Sequence, residues 1–144
     1  MRDGLGDLLM RYPMEKDGIA MLYSMPSTHI AHFDGNETYG LYTRDHDRWH
    51  EAIHNAGLQF DYITDRQLRL GEFEASKYKV LILPLAFAIG EQEAAVIRDF
   101  VQKGGTLIAD VRPGLYNDRC KPYETGGILD DVFGVKRGPK QSAA

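Results

Sequence analysis

The chain is 144 residues long, with 43% hydrophobic residues, 26% charged residues and a formal net charge of −4. That length suits one soluble domain whose core needs no covalent staple. The acidic balance argues against nucleic acid or an anionic membrane as partner, and no apolar run is long enough to cross a bilayer. The single cysteine, Cys120, excludes an internal disulfide and a cysteine-based zinc cluster. One free thiol fits a reducing, cytoplasmic compartment. The opening Met1–Gly4 has no apolar signal core, although a signal on a longer parent chain would not be visible here.

In chain order, residues 4–11 predict one or two helical turns ended by Pro13, within a lead-in of residues 1–17. Gly18–Tyr23 is continuously apolar and predicts a first strand covered on both faces. Ser24–Thr38 is rich in Ser, Thr, Pro, Gly and Asn and reads as a long loop. A helix is expected from about Tyr39 to Ala56, with Leu41, Asp45, Trp49, Ile53 and Ala56 on one face and Tyr42 and Ala52 beside it. Gly57 ends it. Leu58–Ile63 alternates as a second strand. Thr64-Asp-Arg-Gln67 has capping-box spacing and starts a short helix.

Lys79–Leu83 predicts the third strand, Glu91–Lys103 a helix stopped by Gly104-Gly105, and Thr106–Ala109 the fourth strand. A loop covers Asp110–Gly127, and Ile128–Phe133 is a last short helix closed by Gly134. Residues 136–144 form a polar, basic tail, so the folded domain is expected over 18–135. Strands alternating with helices imply a three-layer α/β fold, a flavodoxin-like parallel sheet with helices on both faces.

In such a sheet, ligands bind beyond the carboxyl ends of the strands. The first candidate is Ser24-Met-Pro-Ser27-Thr28, whose hydroxyls and free amides either hold a phosphate or cap a short turn. No P-loop or Gly-x-Gly-x-x-Gly pattern accompanies it, so no cofactor is expected. The second is Asp110-Val-Arg112-Pro-Gly114 after strand four, where Asp110 and Arg112 either orient a polar ligand or serve a structural or interface role.

His46, His50 and His54 recur every four residues on one helix. Two imidazoles could share a metal, but a third on a straight helix cannot easily reach the same ion. Their charged neighbours favour a boundary or solvated face, and no metal is expected. Cys120 lies far beyond strand four between Arg119 and Lys121, which would lower its pKa. No histidine follows it, so an inert loop cysteine is the favoured reading. No catalytic residue is assigned, and no facing pair of carboxylates is evident.

Five segments carry a resemblance in their order and spacing. They are Ile19–Ser27, Trp49–Gly57, Tyr78–Pro84, Phe100–Asp110 and Gly126–Val135. Together they resemble the trimerisation domain of family 42 beta-galactosidases, within the class I glutamine-amidotransferase-like group. The resemblance implies a non-catalytic oligomerisation domain of a homotrimeric, carbohydrate-hydrolysing parent. Its catalytic glutamates would lie on an upstream barrel, and this domain would wall part of a neighbouring active site. The present chain would then be an excised or fragmentary domain. The amidotransferase relatives carry a cysteine after the strand matching Thr106–Ala109; here neither Asp110–Gly114 nor Leu85–Gly90 contains one. The alternative is a small-molecule-binding or enzymatic flavodoxin-like domain that uses the loops after strands one and four.

Overall fold

In a computed structural model, residues 4–12 and 16–137 are described. Four strands form one parallel sheet in the order β2-β1-β3-β4: β1 (Ile19–Tyr23), β2 (Phe60–Thr64), β3 (Val80–Leu83) and β4 (Thr106–Ala109). The register puts Met21 beside both Tyr62 and Ile82. The chain winds one way from β1 to β2, then crosses back over β1 to β3. The reversal falls between β1 and β3.

Alternation along the strands divides the core into two faces. Ala20, Leu22, Ile63, Leu81 and Leu83 face one layer, which holds Leu68 of α4 (Asp65–Arg69), Ala94, Ile97 and Phe100 of α5 (Glu91–Gln102), and Leu129 just before α6 (Asp130–Phe133). Ile19, Met21 and Ile82 face the other, where Trp49 and Ile53 of α3 (Asn36–Asn55) cover them. Tyr42 of α3, Ala31 of α2 (Met25–Phe33) and Phe87 make a third cluster above the carboxyl end of β3. The sheet is therefore sandwiched between helical layers, the three-layer arrangement expected.

The differences have local causes. Ser24–Thr38 is not a long loop. Ser24 caps α2 by accepting from the Ser27 amide, and Pro26 sits in the first turn, where its missing N–H costs nothing. Proline and serine here start a helix rather than punctuate a loop. α3 begins at Asn36, three residues earlier than expected, after Gly35 in an extended positive-φ conformation. Its buried face is also turned. Leu41 is exposed, while Tyr42 and His46 are buried, because the Tyr42 hydroxyl reaches the Ser24 carbonyl and the Thr28 hydroxyl. β2 starts at Phe60 and α6 at Asp130, each two residues later than expected. The capping box at Thr64 and Gln67 forms in full.

α1 (Leu5–Arg11) has no buried residue, and its last turn is tied by Arg11 to Asp7. Pro13 and most of the tail, residues 138–144, lie outside the described residues. Among the described residues, no helix is long and apolar enough to cross a membrane.

Candidate functional site

The reversal point between β1 and β3 is where a doubly wound sheet normally opens a crevice. Here the chain fills it. Ser24 and Ser27 are fully buried, and the Ser27 hydroxyl donates to Ser24 Oγ at 2.9 Å and accepts from the Ala88 amide at 3.0 Å. Thr28 donates to the Ser24 carbonyl at 3.0 Å. The serine hydroxyls thus hold the β3–α5 loop, and their bonding capacity is spent inside the protein.

The loop after β4 seals the rim further. Gly114 donates to the Ala86 carbonyl, Tyr116 to Phe87, and Ile89 back to Tyr116. The Tyr123 hydroxyl donates to the Ile89 carbonyl at 3.0 Å. Asp110 accepts from the Leu85 amide at 2.8 Å. Burial together with the Asp45 carboxyl pushes its pKa up to about 7, and its Oδ2 is buried without a hydrogen-bond partner among the described residues. Arg112, by contrast, is exposed, so the two residues of the second candidate point to different environments.

Two non-glycine residues at the strand ends are left-handed, Leu85 at φ 36° and Arg112 at φ 65°. Strained turns of this sort present nucleophiles in strand-to-helix elbows. Neither side chain is a nucleophile, and Leu85–Gly90 and Asp110–Gly114 contain no serine, cysteine or threonine.

Cys120 is the third left-handed residue, at φ 59°. Its thiol donates to the Pro26 carbonyl at 3.6 Å and ties the β4–α6 loop to α2. Burial and Asp118 push its pKa up, not down. The flanking Arg119 and Lys121 are exposed, so they do not stabilise a thiolate as the sequence suggested.

Beside this rim, Arg69 reaches Asp65 at 3.4 Å, Glu93 at 3.6 Å and Asp118 at 3.8 Å. Burial raises the pKa of Glu93, which Arg69 partly offsets. The cluster joins α4, α5 and the β4–α6 loop. Gly90 leaves room for it: a Cβ there would lie 2.4 Å from Glu93 Oε2.

The histidines separate. His46 is buried, tilted against Tyr42 with ring centroids 4.4 Å apart. His50 packs on Phe60 and stacks with His54 at 6.2 Å. Among the described residues, no group of three or more His, Cys, Asp or Glu is arranged to hold a metal ion.

A concavity of about 320 Å³ lies between α2 and the loops after β3 and β4, with Arg112 and Phe87 in its lining, and another opens at the carboxyl ends of β1 and β2, against α3. It has a volume of about 470 Å³ and is lined by Tyr23, Thr28, Tyr39, Tyr42, Thr43, His46, Asp47, Tyr62 and Thr64. Of the expected ligand-binding residues only Thr28 reaches it. The strand register brings Tyr23 and Tyr62 to the same edge, and α3 supplies Tyr39, Tyr42 and His46 at helical spacing. Sequence reasoning missed this groove because its two halves meet only through the β1–β2 pairing. The tyrosines among the α3 histidines were the available signal.

The sheet order and the two helical layers define a flavodoxin-like α/β domain in which Ser24 and Ser27, at the end of β1, bond within the chain. The chain belongs to the beta-galactosidase trimerisation domain family, whose model matches residues 17–141. It is similar to beta-galactosidase BgaB of Geobacillus sp. (strain Y412MC61), with 34% identity over 64 residues, 43% of this chain and 10% of that protein. Beta-galactosidase BbgII of Bifidobacterium bifidum is 24% identical over 132 residues, 89% of this chain and 18% of that protein. The chain thus spans less than a fifth of the length of these relatives.

Among solved structures, a beta-galactosidase from Bifidobacterium adolescentis superimposes with a TM-score of 0.71 at 20% identity, over 85% of this chain and 56% of that one. Gan42B, a GH42 beta-galactosidase from G. stearothermophilus, gives 0.71 at 21%, over 85% of this chain and 18% of that one. At these identities the likeness establishes the fold.

Proposed function

We propose that this chain is a non-catalytic assembly domain of a glycoside hydrolase, a beta-galactosidase-like parent whose catalytic barrel is a separate unit. The observation that carries the reading is the trimerisation-domain match over residues 17–141. The closed rim supports it: the turns that present reactive groups in this fold carry Leu85 and Arg112 in their strained positions.

The surface supports assembly. α1 exposes Leu5, Leu8, Leu9 and Met10 together, and Phe33 at the end of α2 is 84% exposed. Apolar surface of this kind marks contact with another protein surface. The partners are two further copies in a homotrimer and the parent's own barrel. A cytoplasmic location accords with the free thiol of Cys120. The alternative, a small-molecule site in the loops after β1 and β4, is weakened because Ser24 and Ser27 are fully buried and bonded to each other and to Ala88.

Purified chain is expected to leave an aryl galactoside unhydrolysed at any protein concentration. Turnover that co-purifies with the protein and scales with its amount would overturn the reading.

A further inference from the structure

The three α3 histidines divide into one that the core absorbs and two that it does not. His46 is buried against Tyr42, while His50 and His54 are exposed one turn apart on the same helix. Their rings stack, with centroids 6.2 Å apart and planes 27° from parallel. α3 runs unbroken from Asn36 to Asn55, so the backbone fixes this spacing. The sequence pattern counted against a metal because three imidazoles on a straight helix do not converge on one ion. The fold takes His46 out and leaves a pair that can.

The pair is also partly held in place. The His50 ring meets Phe60 edge to face with centroids 5.5 Å apart, and Phe60 meets Tyr62 at 5.0 Å. Phe60 is fixed by the pairing of β2 with β1, in register with Ile19. One imidazole thus has a set position, and the other stands a helical turn away in solvent. Asp47 and Glu51 are exposed three residues before His50 and His54, so each adds a carboxylate beside an imidazole on the helix surface.

A neutral imidazole offers one nitrogen lone pair, and imidazoles at i and i+4 meet on one face of a helix. Zinc bonds imidazole nitrogen at about 2.0–2.1 Å, which puts the ring centres of two histidines on a shared ion about 5–6 Å apart. Turning the exposed His54 ring closes the remaining gap, and no buried group has to move. Calcium and magnesium take oxygen ligands and gain little from two imidazoles. Zinc, copper and nickel bond them well. We propose that His50 and His54 together chelate a divalent transition-metal ion of this class, with water in the remaining positions. Two protein ligands make an exchangeable surface site, in keeping with the lack of any three-ligand group among the described residues.

The proposal does not rest on the assembly reading, and its test is independent of activity. The full chain, with no added histidines, is titrated with Zn2+ while the ring C–H signals of its five histidines are followed by NMR. Saturable shifts are expected at His50 and His54 and not at His29, His32 or His46. His50→Ala and His54→Ala should each weaken binding about tenfold, since either leaves a single ligand. Both side chains are exposed, so the variants should melt where the parent protein does. The chelating spacing exists only in the folded helix, so Zn2+ should raise the melting temperature of the parent protein and of neither variant. Cys120→Ser should bind Zn2+ as the parent protein does.

Three outcomes would overturn the proposal. The first is no saturable shift at His50 and His54 up to about 1 mM Zn2+. The second is binding that both histidine variants leave intact. The third is binding lost in Cys120→Ser, which would place the ion on the thiol.

Discussion

Two neighbouring regions at the carboxyl end of the sheet have opposite character. Between β1 and β3, Ser24, Ser27 and the Ala88 amide consume one another's hydrogen-bonding capacity, and the β4–α6 loop is laced onto the β3–α5 loop. Between β1–β2 and α3, the rings of Tyr23, Tyr39 and Tyr62 line an open concavity. Position relative to the strands does not by itself make a site. What counts is whether the polar groups there are already satisfied. The serine pair and the laced loops make the rim rigid, and the groove stays open.

Substitutions at the rim should therefore cost stability, and substitutions in the groove should not. The largest effect is expected at Gly114, which has φ +64°, and where a Cβ would lie 2.8 Å from Ile128 Cγ2. Gly114→Val combines a left-handed β-branched residue with that overlap and should lose about 3 kcal/mol or more in urea unfolding. A loss within error would show that the rim is loose.

Ser27→Ala comes next. It strands the buried Ala88 amide and should cost about 2 kcal/mol. A neutral outcome would mean that the serine pair does not hold the loop.

The third prediction concerns pH. Asp110 in the folded chain titrates at about 7, whereas an unfolded aspartate titrates at about 3.9. The native state therefore holds a proton that the unfolded chain releases. The stabilisation is complete below about pH 4 and is lost as pH rises toward 7. Asp110→Asn keeps an acceptor for the Leu85 amide and adds donors toward Asp45. It should remove a decline of roughly 1–2 kcal/mol between pH 5 and pH 8. Parallel pH profiles of variant and parent protein would refute the raised titration of Asp110.

The smallest effect belongs to the groove, where Tyr62→Ala at the exposed sheet edge should change stability by about 0.5 kcal/mol or less. A cost approaching that of Ser27→Ala would erase the contrast between the two regions.

The same contrast explains what was legible in the sequence. β3 and α5 were readable because their burial follows from local pattern: Leu81, Ile82 and Leu83 are all buried, and Ala94, Ile97 and Phe100 recur at helical spacing. The Thr64–Gln67 cap was readable because both halves lie three residues apart. α2 was not, because its buried residues are only Ser27 and Ala31 while Phe33 points outward, leaving no apolar stripe.

The site residues divided in the same way. Ser24, Ser27 and Asp110 were correctly placed at strand ends, but their partners, Ala88 and Leu85, are backbone groups that no side-chain pattern reveals. The buried face of α3 turned toward Tyr42 and His46 because of a tertiary bond to Ser24, which a helical wheel does not contain. The family resemblance, resting on five segments in order, was visible from the sequence because strand and helix ends keep their spacing.

The claim that this domain serves assembly is tested most directly by sedimentation velocity of the purified chain across a wide concentration range. The account predicts reversible association from the 16.3 kDa monomer toward a species of three times that mass, favoured at high concentration. A single 16.3 kDa species at every concentration would contradict it.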